Sequence, residues 1–470
     1  MQVRSALSRI VGHACAAFVA CAIVTGAAEA RQPGTAYLGQ PCTAVGELVT
    51  SGYVFVCSDA NVFRYALHED IPPAPEDGYV ERPSWYPRLS EIFLATDPPA
   101  CSITGRVTFT SPVIRPEHTT VIVPQGQLIF DHVTPIDHGY IGVTLLGRDP
   151  ATLTDADFAP ILAPADAEII EISLLSATSI RIVLAHGCET YSVLMVVNRL
   201  SGALGYLQDD LMASGSLSPH IRVLAGEEIA AQRDNPLDFS VHVGASWLSG
   251  FVAPFSYTVG EAWKPFTVDP WPYFSPDLAE FYESRMQRLA PPRWGTIDHD
   301  IAGTASGNWF VSGTVGYSGH TVEAFSSGEP ITGGAVAGKN IYSWSHLAIV
   351  RHPVQPGRWF LSTGWWQDEA GDPKQYVLNV TADQPEPSQL TPASGTVVYE
   401  LWNWTAEPAP TGSGRSPWPI GYDIVPIHVV GIAAVQVHED QTLSIELIPG
   451  EQGVAPSFPG FSAAKRTYRR

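Results

Sequence analysis

Apolar and polar positions alternate at period two through most of this chain, in short runs that suit strands packed on a sheet. Runs rich in Val, Ile and Leu and bounded by Gly, Pro, Asp or Ser predict strands at Ile103–Phe109, Thr119–Val123, Ile141–Leu146, Ile169–Leu175, Ile180–Leu184 and Ser192–Val197. A second series is predicted at Trp309–Val315, Ser345–Arg351, Tyr376–Val380, Thr396–Leu401, Gly431–Val437 and Thr442–Leu447. One segment keeps helical spacing instead. Ser275 offers an N-cap, Pro276 suits the first helical position and Asp277 adds favourable charge. Leu278, Phe281, Tyr282 and Leu289 then recur at that period until Pro291 and Pro292 stop the run. No sequence period of a solenoid or propeller is present. The expected fold is mainly β: a β-domain, a helical connector, and a C-terminal β-barrel or sandwich.

At 470 residues the chain can form several compact units. Residues 1–30 read as a signal peptide, with Arg4 and Arg9 ahead of an apolar run from Ala14 to Ile23 and a small-residue cleavage pattern at Ala28-Glu29-Ala30. Cleavage after Ala30 would place the mature protein outside the cytoplasm, secreted or periplasmic. Elsewhere no apolar run approaches the ~20 residues of a membrane span. Residues 31–70 read as a small disulfide-stapled β unit, and 71–100 as a Pro-rich linker (IPPAPEDGYVERPSWY). The β-domain then covers 101–260, the connector with its helix 261–294, and the barrel or sandwich 295–470.

Six cysteines occur, and Cys15 and Cys21 leave with the signal. Cys42, Cys57, Cys101 and Cys188 remain, an even set in an exported chain, and they allow three pairings. Cys42 and Cys57 flank a hairpin-like stretch and are expected to pair, leaving Cys101 with Cys188. No CxxC spacing supports a zinc site built from them. A formal charge of -21, from 26 Lys+Arg against 47 Asp+Glu, makes nucleic acid and anionic membranes poor partners.

Candidate chemistry concentrates between Asp131 and Val243. The segment DHVTPIDHGYIG places Asp131, His132, Asp137 and His138 together, residue types that can ligate zinc or form a hydrogen-bonded structural loop. The order HVTPID, APILAPADAEIIEI, YSVLMVVNRLSG, IRVLAGEEIAAQ and PLDFSVHV resembles the lysostaphin-type M23 metallopeptidases, over roughly residues 120 to 245. That resemblance implies a β-domain whose relatives cut cell-wall peptide cross-links, with an HxxxD pair and a later HxH around zinc. This chain departs from the pattern. His132 and Asp137 are spaced HxxxxD, the HxH position reads Pro236-Leu237-Asp238, and Arg199 stands where the family has a mid-domain histidine. His132, Asp137, His138 and Asp238 are the candidate metal ligands, and zinc is the only cofactor the resemblance raises. The expectation is an exported, M23-like protein that has lost peptidase activity and binds cell-wall or extracellular peptide or glycan. One alternative is an active zinc hydrolase with a rearranged His/Asp site.

The C-terminal region carries a second resemblance. GNWF (Gly307 to Phe310) places a Trp in a first strand, similar to calycin or lipocalin barrels, where that Trp plugs the closed end. A Trp-rich barrel holding Trp309, Trp344, Trp359, Trp365, Trp366, Trp402 and Trp404 could bind a small molecule, although core packing is the commoner use of such residues. Asp298-His299-Asp300 suits a domain contact, and His346 and His352 should share one side of a regular strand. GxSxG, HExxH, P-loop and dinucleotide fingerprints are absent from the sequence.

Overall fold

The computed structural model describes residues 38–470 apart from 51–52, 73, 76–77, 94–105, 130–131, 145–151, 188, 234, 327–334, 337–338, 341–343, 365–373 and 409–419. The expected signal peptide, Asp131, the proposed Cys101–Cys188 pair, Trp365 and Trp366 lie outside the described residues. The protein is mainly β, and among the described residues no helix is long and apolar enough to cross a membrane.

The first unit is a three-stranded antiparallel sheet of β1 (Leu48–Thr50), β2 (Val54–Cys57) and β3 (Phe63–Tyr65). Cys42 and Cys57 are joined by a disulfide, as expected. All of β2 is buried because both of its faces are covered. Val54 and Val56 pack with Tyr86, Tyr191 and Phe266, whereas Phe55 and Cys57 pack with Val259, Val315 and Phe325. The stretch expected as a Pro-rich linker is packed too. Trp85, Tyr86, Leu89 and Phe93 are buried against the middle domain, and Leu89–Phe93 forms the short helix α1. Four large apolar residues so close together favour burial over solvent.

The middle domain contains β4 (Thr119–Val123), β5 (Gly139–Val143), β6 (Ala159–Leu162), β7 (Ala167–Ser176), β8 (Ser179–Ala185), β9 (Thr190–Val197), β10 (Arg199–Leu200), β11 (Ser216–Leu217), β12 (Ile221–Val223), β13 (Glu228–Gln232) and β14 (Leu237–Val243). Its main sheet has eight strands in the order β11-β7-β8-β9-β14-β5-β4, with β12 also on β7; a smaller sheet runs β10-β13-β6. Alternation decides the faces. Ile180, Ile182 and Leu184 of β8 enter one core, and Val183 and Ala185 enter the other. Helix α2 (Gln208–Ser214) lies beside β7. The strand expected at 103–109 is not formed in its described part, where Phe109 makes only an isolated bridge to Phe274.

Helix α3 spans Pro276–Ser284 and is shorter than its sequence spacing suggests, because the chain behind it turns extended. Met286 joins the edge of β4, with Ile122 N–H bonded to Arg285 O at 2.9 Å and Gln287 N–H to Ile122 O at 2.8 Å. Tyr282 anchors the helix, stacking on Trp271 and accepting the Val113 amide at 3.0 Å. Ser275 makes no side-chain cap bond. The connector thus belongs to the middle domain's core.

The last unit includes β15 (Gly307–Val311), a two-stranded hairpin of β16 (Ala335–Val336) and β17 (Lys339–Asn340), then β18 (His346–Arg351), β19 (Trp359–Thr363), β20 (Lys374–Asn379), β21 (Val397–Pro408), β22 (Tyr422–Val437), β23 (Thr442–Pro449) and β24 (Arg466–Arg469). Of the two architectures anticipated, the closed barrel is the one formed, by β15 and β18–β24. Trp309, Leu347, Ile349, Trp359, Leu361 and Leu378 meet inside it. Ala348, Val350, Phe360 and Val377 point outward, where Leu128 of the middle domain joins them. Trp309 is buried, donates to Ala305 O at 3.0 Å and carries the Arg470 guanidinium 3.9 Å from its ring. Val315 lies outside β15, contrary to expectation, because it packs with the first unit.

Candidate functional site

Strand β14 is two-faced by composition. Leu237, Phe239 and Val241 enter the apolar core, so Asp238, Ser240 and His242 emerge together on the opposite face. Neighbouring β5 is paired through Asp238↔Tyr140 and Phe239↔Gly139. His138, just ahead of β5, therefore meets Asp238 across the strands. Gly139 permits the close layer on its other side, since a Cβ there would lie 2.3 Å from the Trp294 ring and 2.5 Å from Val123 O.

His138 sits between two carboxylates. Its Nδ1 is 3.2 Å from Asp137 Oδ1 and its Nε2 is 3.4 Å from Asp238 Oδ2, with all three residues buried. The second Asp137 oxygen accepts the Trp263 indole N–H at 2.6 Å. Among the described residues, Asp238 Oδ1 and His138 Nε2 have no hydrogen-bond partner. The His132 ring lies 5.6 Å from that of His138. Of the four residues expected to gather, Asp137, His138 and Asp238 form the centre, and Asp137 pairs with its neighbour His138.

A segment following β14 roofs this face. Thr267 and Ser240 occupy the two ring nitrogens of His242, at 3.2 and 2.9 Å. Lys264 is fully buried and donates to Glu261 at 2.6 Å and to the Tyr317 hydroxyl at 3.1 Å. Tyr317 in turn meets His346 at the outer wall of the barrel, where its carbonyl lies 2.7 Å from His346 Nε2. Trp263 covers Asp137 through its indole bond, and Asp137, His138 and Asp238 are all buried.

Electrostatics sort the groups. Burial alone would push the Asp137 carboxyl up, but the His138 hydrogen bond and the charges of Lys264, His138 and His242 outweigh it and hold the group well below the usual carboxylate range. Burial raises Asp238 to about 7 against only partial help from His138, and the Asp137 charge adds to the rise. Burial opposes the His138 imidazolium, yet Asp238 and Asp137 together raise its pKa. Asp137 is the ionised counter-ion of His138, and Asp238 gives up its proton only near neutral pH. Burial lowers His242 to about 4 and His346 to about 3, and it raises Glu261 despite Lys264.

Zinc sites with three protein ligands need donors about 2.0 to 2.2 Å from one ion. His138 Nε2 and Asp238 Oδ2 could supply two. Four positions beyond His138, where HxxxD spacing would put the carboxylate, stands Gly142. A Cβ there would lie 2.8 Å from Val121 Cγ1 and 3.0 Å from Thr120 Oγ1, so the position has no room for a ligand side chain without displacement of β4. No group of three or more His, Cys, Asp or Glu suited to one metal ion occurs among the described residues. The residues present do not fit the zinc centre that the resemblance implies.

Other expected positions lie elsewhere. Arg199 is bonded to Asp155 at 3.0 Å and lies over the Phe158 ring, so it is committed to a surface pair. Asp298 and Asp300 accept the backbone amides of Gly250 and Val252, and Asp300 also accepts that of Asn308, which joins the middle segment to the barrel. His352 lies beyond β18 and accepts the amides of Val354 and Gln355. Sequence reasoning missed His242, Glu261, Trp263, Lys264 and Tyr317. Two signals were legible: His242 follows Asp238 at an even spacing in one strand, and Lys264 is a lone cation in an apolar run. No family model matches the chain, and no curated protein matches it.

Proposed function

We propose that this is an exported protein whose middle domain is a peptidase-like β-scaffold without hydrolytic activity, acting by binding in the cell envelope or extracellular space. One observation carries the reading: Asp137, His138 and Asp238 are all buried, and the Asp137 carboxylate is held by the Trp263 indole. Chemistry on a substrate needs the reacting groups within hydrogen-bond reach, and burial of all three side chains works against that. The arginine-flanked apolar leader supports export, and the disulfide suits an oxidising compartment. The ordered motif set across residues 120 to 245 supports kinship with M23 peptidases.

The test is a zinc titration of the oxidised, signal-free protein beside His138→Ala, followed by incubation of each with purified cell wall. The expected result is no stoichiometric site and no released peptides. Sub-micromolar zinc lost in the variant, with zinc-dependent release of cross-link peptides, would replace this reading with an active His/Asp hydrolase. The partnerless Asp238 oxygen beside His138 is the one feature that favours that second reading.

A further inference from the structure

We propose that a hollow in the barrel wall binds a carboxylated sugar, independently of the middle domain. The hollow has a volume of about 620 Å³ and is bounded by the turn at Gly357–Arg358, the end of β20 and the outer face of β21. That size falls within the range of small-ligand clefts. Its position follows from an irregularity: the β21–β22 ladder shifts register between Leu401 and Trp402 and again between Asn403 and Trp404. Such breaks re-aim side chains at the edge of a site.

Trp402 is only half-buried, and its indole N–H is held by Glu400 at 2.9 Å. The same carboxylate oxygen accepts the Asn379 amide at 3.0 Å, which fixes both planar groups and leaves the Asn379 oxygen available as an acceptor. Val377 and Pro426 extend the apolar floor. An aromatic plane beside fixed amide groups matches a pyranose ring, whose C–H face stacks while its hydroxyls bond at the edge. The two arginines play different parts. Arg351 is committed to Glu386 at 2.7 Å and lies over the Trp359 ring. Arg358 is exposed at the rim and its guanidinium makes no bond among the described residues. A guanidinium is matched by a carboxylate, which it takes bidentately, so the occupant is an acidic sugar.

Calorimetry on the full mature chain with cellobiouronic acid and cellobiose, which differ at one carboxylate, tests this. Cellobiouronic acid is expected to bind the more tightly. Arg358→Gln should weaken it roughly tenfold and leave cellobiose unchanged, as loss of one charge-assisted bond requires. Trp402→Ala should weaken both sugars, and Trp402→Phe should restore most of the loss if the first change disturbs the wall. Absence of binding by either sugar at about 10 mM, where affinities weaker than ~3 kcal/mol lie, would overturn the proposal. So would affinities indifferent to Arg358→Gln and Trp402→Ala.

Discussion

Asp238→Asn should stabilise the protein at neutral and alkaline pH. The wild-type carboxyl is carried from its ordinary 3.8 to about 7, chiefly by burial. A carboxyl raised on folding binds its proton more tightly in the native state, so wild-type stability falls as pH rises from the unfolded value to the folded one. Between about pH 4 and pH 7 that fall is at most roughly 4 kcal/mol, at 1.36 kcal/mol per pH unit. Asparagine is nearly isosteric, carries no charge to desolvate, and its amide oxygen can still accept from His138 Nε2, 3.4 Å from Asp238 Oδ2 in the wild type. Part of the gain is returned. His138 has a raised pKa that leans on Asp238, so its own contribution, present below 6.5 and lost as pH rises through the folded value, shrinks in the variant. Urea titrations at pH 5 and pH 8, with hydrogen exchange of β5 and β14 identifying the transition that belongs to the middle domain, read the difference. The advantage of the variant should be small at pH 5 and reach about 1 to 3 kcal/mol at pH 8. A variant less stable than wild type at pH 8, or a difference that ignores pH, would mean that the Asp238 carboxyl is not raised on folding.

Lys264→Met should cost about 3 to 5 kcal/mol, because it strands Glu261 and Asp137 as buried charges, and adding Glu261→Gln should recover much of it; a double-mutant cycle by urea titration checks the coupling. Replacing Cys42 and Cys57 by serine opens a 15-residue loop and should cost about 3 kcal/mol, seen as protease cleavage near residues 38–65 ahead of the rest of the chain. Dithiothreitol should have the same effect on the wild type and none on the variant.

Strand-rich architecture was legible because alternation is a local signal: β7, β8, β9 and β23 each lie close to the run that predicted them. Among the strands missing from that reading were β19 and β24. WFLST of β19 is buried on every residue, so it shows no alternation, and RTYR of β24 is short and mostly polar. The helix boundary at Ser284 was invisible because pairing of Met286 with the β4 edge is a tertiary event. Within the site, the three residues that meet were all named from sequence, but which of His132 and His138 faces Asp238 was left open. The choice is made by tertiary structure: the pleat of β5 and its register with β14 bring His138 to Asp238. The roof was beyond reach for the same reason: no spacing rule ties Lys264 to Tyr317 across more than fifty residues.

Trp263, Lys264 and Thr267 follow the β-domain in sequence and complete it in space. A fragment ending at residue 260 would retain every strand of the main sheet and still expose Asp137, His138 and His242 to water. Modular exchange of this domain between proteins therefore has to carry the segment after β14 with it. The sheet and the segment after β14 form one packed unit.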